Sequence, residues 1–169
     1  MALGLKACRL EKSMNRSYEE IVRGESLLRH PPGARHEMVC ERLHLQVSLS
    51  AAAVATTRLL PPRTVIELAP GTLLRPDLTL VTAATGKAWL IAEVVDTVDH
   101  HPDTVMKKAL YEDVRLPRLW MVDPRYDNVE VYHGSPYGLA LQRILANRDL
   151  LTEALLPSLS LAIAELFAA

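Results

Sequence analysis

The chain has 169 residues, 49% of them hydrophobic and 23% charged, and a formal net charge of −1. That length supports a single domain over residues 1–169 with a proper core, and the composition argues against disorder. The near-neutral balance excludes the strongly basic surface of a dedicated nucleic-acid binder, so any DNA contact must come from a local basic patch, a dimer groove or a separate partner.

In chain order, "MALGLKACRLEK" has no sustained apolar core and resembles neither a signal peptide nor an anchor. Cys8 and Cys40 show no CxxC spacing, which excludes a disulfide framework and argues against a zinc ribbon. Both read as small apolar fillers. Ser17 before "YEEI", with Glu20 three residues on, has the pattern of a capping box and predicts a short helix ending at Gly24. "ESLLRH" reads as a strand and "PPG" as a break. From Arg35 to about Thr57, Val39, Leu43, Val47, Ala51 and Val54 mark one face of a long helix that "LLPP" stops. "SLSAAAVATT", the longest apolar stretch, falls well short of the ~20 residues of a membrane span, so a cytoplasmic protein is expected.

"TVIEL", "DLTLV" and "AWLIAEVV" predict successive strands, separated by "APGTLLRP" and "TAATGK". "HHPDTVMKKALYEDV" returns to helical spacing, with Asp103 placed to cap it. "RLWMVDP", "NVEVYHG" and "GLALQRILA" predict three more strands, with "DPRYDN" as turn chemistry between the first two. "LPSLSLAIAELFAA" closes with a brief strand and a terminal helix. Helix, strands, one crossover helix and strands again predict an α/β fold of the mixed α+β sandwich kind rather than a doubly wound sheet.

Two strands carry acids that burial alone does not require. Asp77 opens "DLTLV" and Glu93 interrupts "AWLIAEVV". An unpaired buried charge costs several kcal/mol, so each needs a partner, either a side chain such as Arg75 or a metal. Carboxylates ~4 Å apart repel by about 4 kcal/mol at an effective dielectric near 20. One then takes a proton, or a divalent cation lies between them. Oxygen ligands favour Mg²⁺ or Mn²⁺ over zinc, and the Val94 carbonyl is a further candidate oxygen. On a helical wheel Met106, Ala109, Leu110 and Val114 form the buried face. Lys107 lies at its border, able to reach the carboxylates, and Lys108 points to solvent. Two acids, a cation and a lysine are the equipment of a phosphodiesterase.

"RPDLTLV", "AWLIAEVVDT", "DTVMKKALYEDVRLPRLWMVDP" and "NVEVYH", in that order, resemble the Uma-type restriction endonuclease family of the PD-(D/E)XK nuclease superfamily. "EIVRGE", "ARHEMVCERL" and "LPSLSLAIAELF" are similar to that family's opening, its His-bearing helix start and its closing segment, so the likeness runs from about residue 17 to 167. The resemblance implies a restriction-endonuclease-like fold with a central mixed sheet, a long N-terminal helix and a crossover helix. It implies Mg²⁺- or Mn²⁺-dependent cleavage of DNA, and a homodimer where two strands are cut. It makes Asp77 and Glu93 metal-binding acids, with Glu20 a possible third, its alternative being reciprocal capping with Ser17. Lys107 takes the place of the lysine that the superfamily usually carries two residues after the Glu, where this chain has Val95. The family often has Ser where this chain has Asp96, an acid that would add a metal ligand or repel a phosphate.

The other candidates have ordinary readings beside functional ones. His100 and His101 read as loop residues or metal ligands, and His36 as a packing or capping residue or a phosphate contact. Trp120 reads as core rather than a base-stacking platform, Asp123-Pro124 as a turn, and Arg115 and Arg118 as solvated charges or DNA-backbone contacts. Two rival functions remain, a catalytically degenerate module for protein–protein association and a hydrolase of small phosphorylated molecules.

Overall fold

A computed structural model describes residues 16–169. The expectations for Cys8 and the opening dodecapeptide lie outside the described residues. The first described element overturns an expectation. Tyr18–Val22 is a strand, β1, paired antiparallel with β2 (Glu25–Arg29), not a capped helix. Val22 faces Glu25, so the connection is the two residues Arg23 and Gly24, both at positive φ (52° and 85°). That is the backbone of a tight hairpin turn whose twist matches the flanking strands. The turn chemistry overrides the local Ser-x-x-Glu signal.

Helix α1 (Ala34–Ala51) is shorter than expected, because Thr57–Leu59 forms a strand, β3. "APGTLLRP" is not a plain connection either. It holds the turn and second strand of a hairpin between β4 (Ile66–Ala69) and β5 (Thr72–Leu74), Ala69 facing Thr72 across Pro70 and Gly71. Strands β6 (Leu78–Thr82) and β7 (Ala88–Val94) follow as predicted. Helix α2 has a π-helical first part, Pro102–Lys107, and an α-helical remainder, Lys108–Asp113. Then come β8 (Arg118–Asp123), β9 (Asn128–Ser135) and β10 (Gly138–Ala146). A strand with no predicted counterpart, β11 (Leu150–Glu153), pairs with β12 (Leu156–Ala162) before the terminal helix α3 (Ile163–Phe167).

The central sheet has the order β10-β9-β8-β7-β6-β3 and is mixed. Its β7–β8 pair is parallel and its other pairs antiparallel. A parallel pair needs a crossover, which α2 supplies. A second sheet, β2-β1-β5-β4, is hydrogen-bonded separately from it. The alternation of β7 separates two cores. Leu90, Ala92 and Val94 pack with Val39, Leu43 and Val47 of α1 and with α3, while Ile91 and Val95 pack with Leu110 and Tyr111 of α2. Trp120 is fully buried in the first core, as expected. Among the described residues no helix is long and apolar enough to cross a membrane.

Helix α2 departs from the predicted wheel. Its buried residues are Pro102, Asp103, Lys107, Leu110 and Tyr111, whereas Ala109 is exposed and Val114 37% exposed. A wheel drawn on hydrophobicity treats charged positions as outward, and the π-helical part breaks the 3.6-residue phase. Asp103 makes no capping bond; it is an interior residue. Lys108 does not point freely to solvent, its Nζ lying 4.2 Å over the Tyr132 ring.

Candidate active site

Glu93 projects from β7 toward α2 and is 1% exposed. One carboxylate oxygen accepts from Lys107 Nζ at 3.1 Å and the other from the Tyr111 hydroxyl. The spacing of Lys107 and Tyr111, one helical turn apart, brings both donors to one acid. Lys107 Nζ also reaches Glu20 Oε1 at 3.0 Å and Asp103 Oδ1 at 3.5 Å. Arg29 of β2 completes the cluster, donating to Asp103 Oδ2 at 2.9 Å and lying 3.8 Å from Glu20 Oε2. Glu20 is therefore no cap for Ser17. It points inward from β1, and its Oε1 also accepts the Arg75 backbone N–H at 2.7 Å.

Asp77 stands opposite Glu93, one step beyond the Leu78–Ala92 pair of β6 and β7. Its Oδ2 accepts the Val94 N–H at 2.9 Å, and its Oδ1 accepts Arg63 Nε at 3.3 Å. His36, near the start of α1, directs Nε2 to the Val94 carbonyl at 2.9 Å and to Asp77 Oδ2 at 3.3 Å. The Val94 carbonyl is thus engaged by His36. Arg63, rather than Arg75, is the arginine that Asp77 meets. Asp96 turns to its own loop, accepting the N–H groups of Val98 and Asp99 at 2.7 and 2.9 Å.

The cluster around Lys107 holds three carboxylates, Glu20, Glu93 and Asp103, against two cations, Lys107 and Arg29. The surplus falls on Glu93. Burial raises its pKa, Lys107 opposes that only in part, and the neighbouring acids add to it, leaving a value of about 8. Burial works against the Lys107 ammonium, yet Glu93, Asp103 and Glu20 together hold its pKa above the ordinary lysine value. Burial alone would push Asp77 upward, but His36 and Arg63 keep it well below the usual carboxylate range.

The donor chemistry here is that which a hard divalent cation takes. Asp77, Glu93 and Glu20 offer oxygen donors, and Glu20 Oε2 is buried without a hydrogen-bond partner. His36, Cys40 and Asp77 also approach within 4.8 Å of one another. The imidazole, however, presents Nδ1 to Cys40 Sγ at 3.5 Å and Nε2 to Asp77. One tetrahedral metal would need a single ring nitrogen at about 2.0–2.1 Å. Burial pushes the Cys40 thiol up to about 12, and the three side chains are joined by hydrogen bonds.

Sequence reasoning placed Glu20, Asp77, Glu93 and Lys107 but missed Arg29, Asp103, Arg63 and the orienting contacts of His36. Only one of these had a local signal, the i,i+4 spacing of Asp103 and Lys107. A cleft of about 810 Å³ lies at the other end of β6 and β7 around Val81, Trp89 and Leu116, away from the acids.

A mixed sheet with one crossover helix and acids on adjacent central strands defines a restriction-endonuclease-like fold. The chain belongs to the Uma2 family, described as "Putative restriction endonuclease", whose model matches residues 7–164. A crystal structure from Anabaena variabilis, of "a putative nuclease belonging to DUF820", is similar over 89% of each chain with a TM-score of 0.74 and 13% identity, a likeness of fold. A cryo-electron-microscopy structure of the DrdV–DNA complex aligns over 66% of this chain and 11% of that one, with a TM-score of 0.39 and 17% identity. No curated protein matches the chain.

Proposed function

We propose that the protein is a Mg²⁺- or Mn²⁺-dependent endonuclease that hydrolyses DNA phosphodiester bonds. The observation that carries this reading is the meeting of Glu93, Lys107 and Glu20 in one buried cluster, with Asp77 facing Glu93 from the adjacent strand. Membership of a restriction-endonuclease family supports it. A cation held by Asp77, Glu93 and Glu20 would supply Lewis-acid stabilisation of the phosphate and activation of water. His36, the Val94 N–H and Arg63 fix the Asp77 carboxylate in one orientation, so it meets a ligand preorganised. Lys107, charged and dry, orients water or steadies the charge that builds on the phosphoryl oxygens. Tyr111 holds the second Glu93 oxygen.

The test is cleavage of plasmid DNA with Mg²⁺ or Mn²⁺. Glu93→Ala and Asp77→Ala proteins are expected to lose cleavage, and either one cutting as fast as the parent refutes the assignment. DNA binding should weaken steeply with salt. A second reading, a degenerate module serving protein–protein association, is favoured by the ion pairs that already engage Asp77. Under that reading neither cation stabilises the protein and plasmid stays intact.

A further inference from the structure

We propose that a cavity beside the acid cluster, at the C-terminal ends of β7 and β8, is a nucleobase pocket that receives one unpaired base of the bound strand. The inference rests on the nuclease reading and names which part of the substrate is read. The cavity measures about 200 Å³ and lies between α2 and the sheet, over Val95 and Met121. Val95 is two residues past Glu93, and Lys108, on its wall, follows Lys107. The carboxyl ends of parallel strands are where α/β sheets place their ligands. The volume is below the roughly 300–1,000 Å³ of sites for drug-sized molecules, which suits one planar ring system rather than a whole nucleotide.

The lining selects the ligand. Its cations are already committed, Arg125 to Asp123 through Nε at 2.9 Å and Nη2 at 2.7 Å, and Lys108 to the face of Tyr132. Glu130 accepts the Tyr132 hydroxyl. With two acids against two bases and no spare charge, the pocket is a poor phosphate site. It instead offers flat surfaces. Tyr126 is 71% exposed with the Arg125 guanidinium 5.3 Å from its ring centre, a stacking platform of the kind that holds single-stranded bases. Asn128 lines the same space, and its side-chain oxygen is shielded from solvent without a hydrogen-bond partner. An amide carries a donor and an acceptor side by side, the complement of a base edge. Neutral balance, aromatic faces and one unsatisfied amide together describe a planar, hydrogen-bonding, uncharged group.

The experiment uses Glu93→Gln protein, so that DNA stays uncut, and single-stranded oligonucleotides that are intact or abasic at one position. The intact strand should bind about tenfold more tightly than the abasic one. Tyr126→Ala and Asn128→Ala should bring that ratio toward one, Tyr126→Phe should preserve it, and Lys87→Ala, at the distant cleft, should leave it alone. Free nucleosides, followed by saturation-transfer NMR on the parent protein, should give signals that Tyr126→Ala removes. An unchanged ratio in both alanine variants, with plasmid cleavage by the parent intact, ends the pocket proposal and leaves the nuclease reading standing. Nucleoside signals lost in Tyr126→Ala while plasmid stays uncut keep the pocket and end the nuclease reading. Absence of both base-dependent binding and nucleoside signals overturns the pocket.

Discussion

Replacing Glu93 by Gln should change how stability depends on pH. Below about pH 4.5 the Glu93 carboxyl holds its proton in folded and unfolded chains alike. Between about 4.5 and 8 only the folded chain holds it, because burial and the surplus of neighbouring acids raise the folded value. Stability therefore falls as pH rises through that window, by about 1.4 kcal/mol per pH unit for one proton. From pH 5.5 to 7.5 the parent should lose about 2–3 kcal/mol more than Glu93→Gln, which has nothing to titrate there. His36, Asp77 and Tyr111 remain in both proteins, so their contributions cancel in the difference to first order. Glu93 is 1% exposed, which leaves solvent little scope to screen the effect. Urea unfolding in EDTA at the two pH values, compared between the two proteins, measures it. Equal losses, or a steeper loss in the variant, would refute the charge count around Lys107.

Lys107→Met should cost about 3–5 kcal/mol at neutral pH by urea unfolding, since it strips a buried cation from Glu20, Glu93 and Asp103. A loss under about 1 kcal/mol would place those acids in better contact with water than their burial indicates. Millimolar Mg²⁺ or Mn²⁺ should raise the melting temperature, by the equivalent of about 2.7 kcal/mol at a hundred times Kd, and Asp77→Asn should abolish the shift in a scanning calorimeter. Gly134→Ala should destabilise by about 1–3 kcal/mol, because its Cβ would stand 2.7 Å from the Leu116 carbonyl oxygen. Gly33→Ala, with nothing within 4 Å of its Cβ, is the matching control in the same denaturation assay.

Five of the six strands of the large sheet were legible, because apolar runs there are separated by turn residues, and β3 was hidden in the tail of the helical pattern. Asp77 and Glu93 stood out because one opens and the other interrupts such a run. The small sheet was legible only in part, through "ESLLRH" and "TVIEL". Its β1–β2 hairpin depends on Arg23 and Gly24 at positive φ, a conformation that non-glycine residues seldom take, and "TLL" of β5 is too short to carry a period. In α2 the inward residues include Asp103 and Lys107, which hydrophobicity scales assign to water. Their burial is decided by partners distant in sequence, Glu20, Arg29 and Glu93, and the i,i+4 spacing of the pair is its one local trace. The reach of Lys107 to Glu93 was correctly anticipated, whereas the company it keeps was not.

Arg29 and its partner Asp103 are 74 positions apart, and Glu20 waits still longer for Lys107. At roughly 5–20 residues per second of synthesis, the first hairpin spends several seconds outside the ribosome before α2 follows. During that interval Glu20 and Arg29 have only each other and water for company. A half-made copy therefore lacks the assembled acids, and whatever chemistry they perform can begin only once translation has passed the crossover helix.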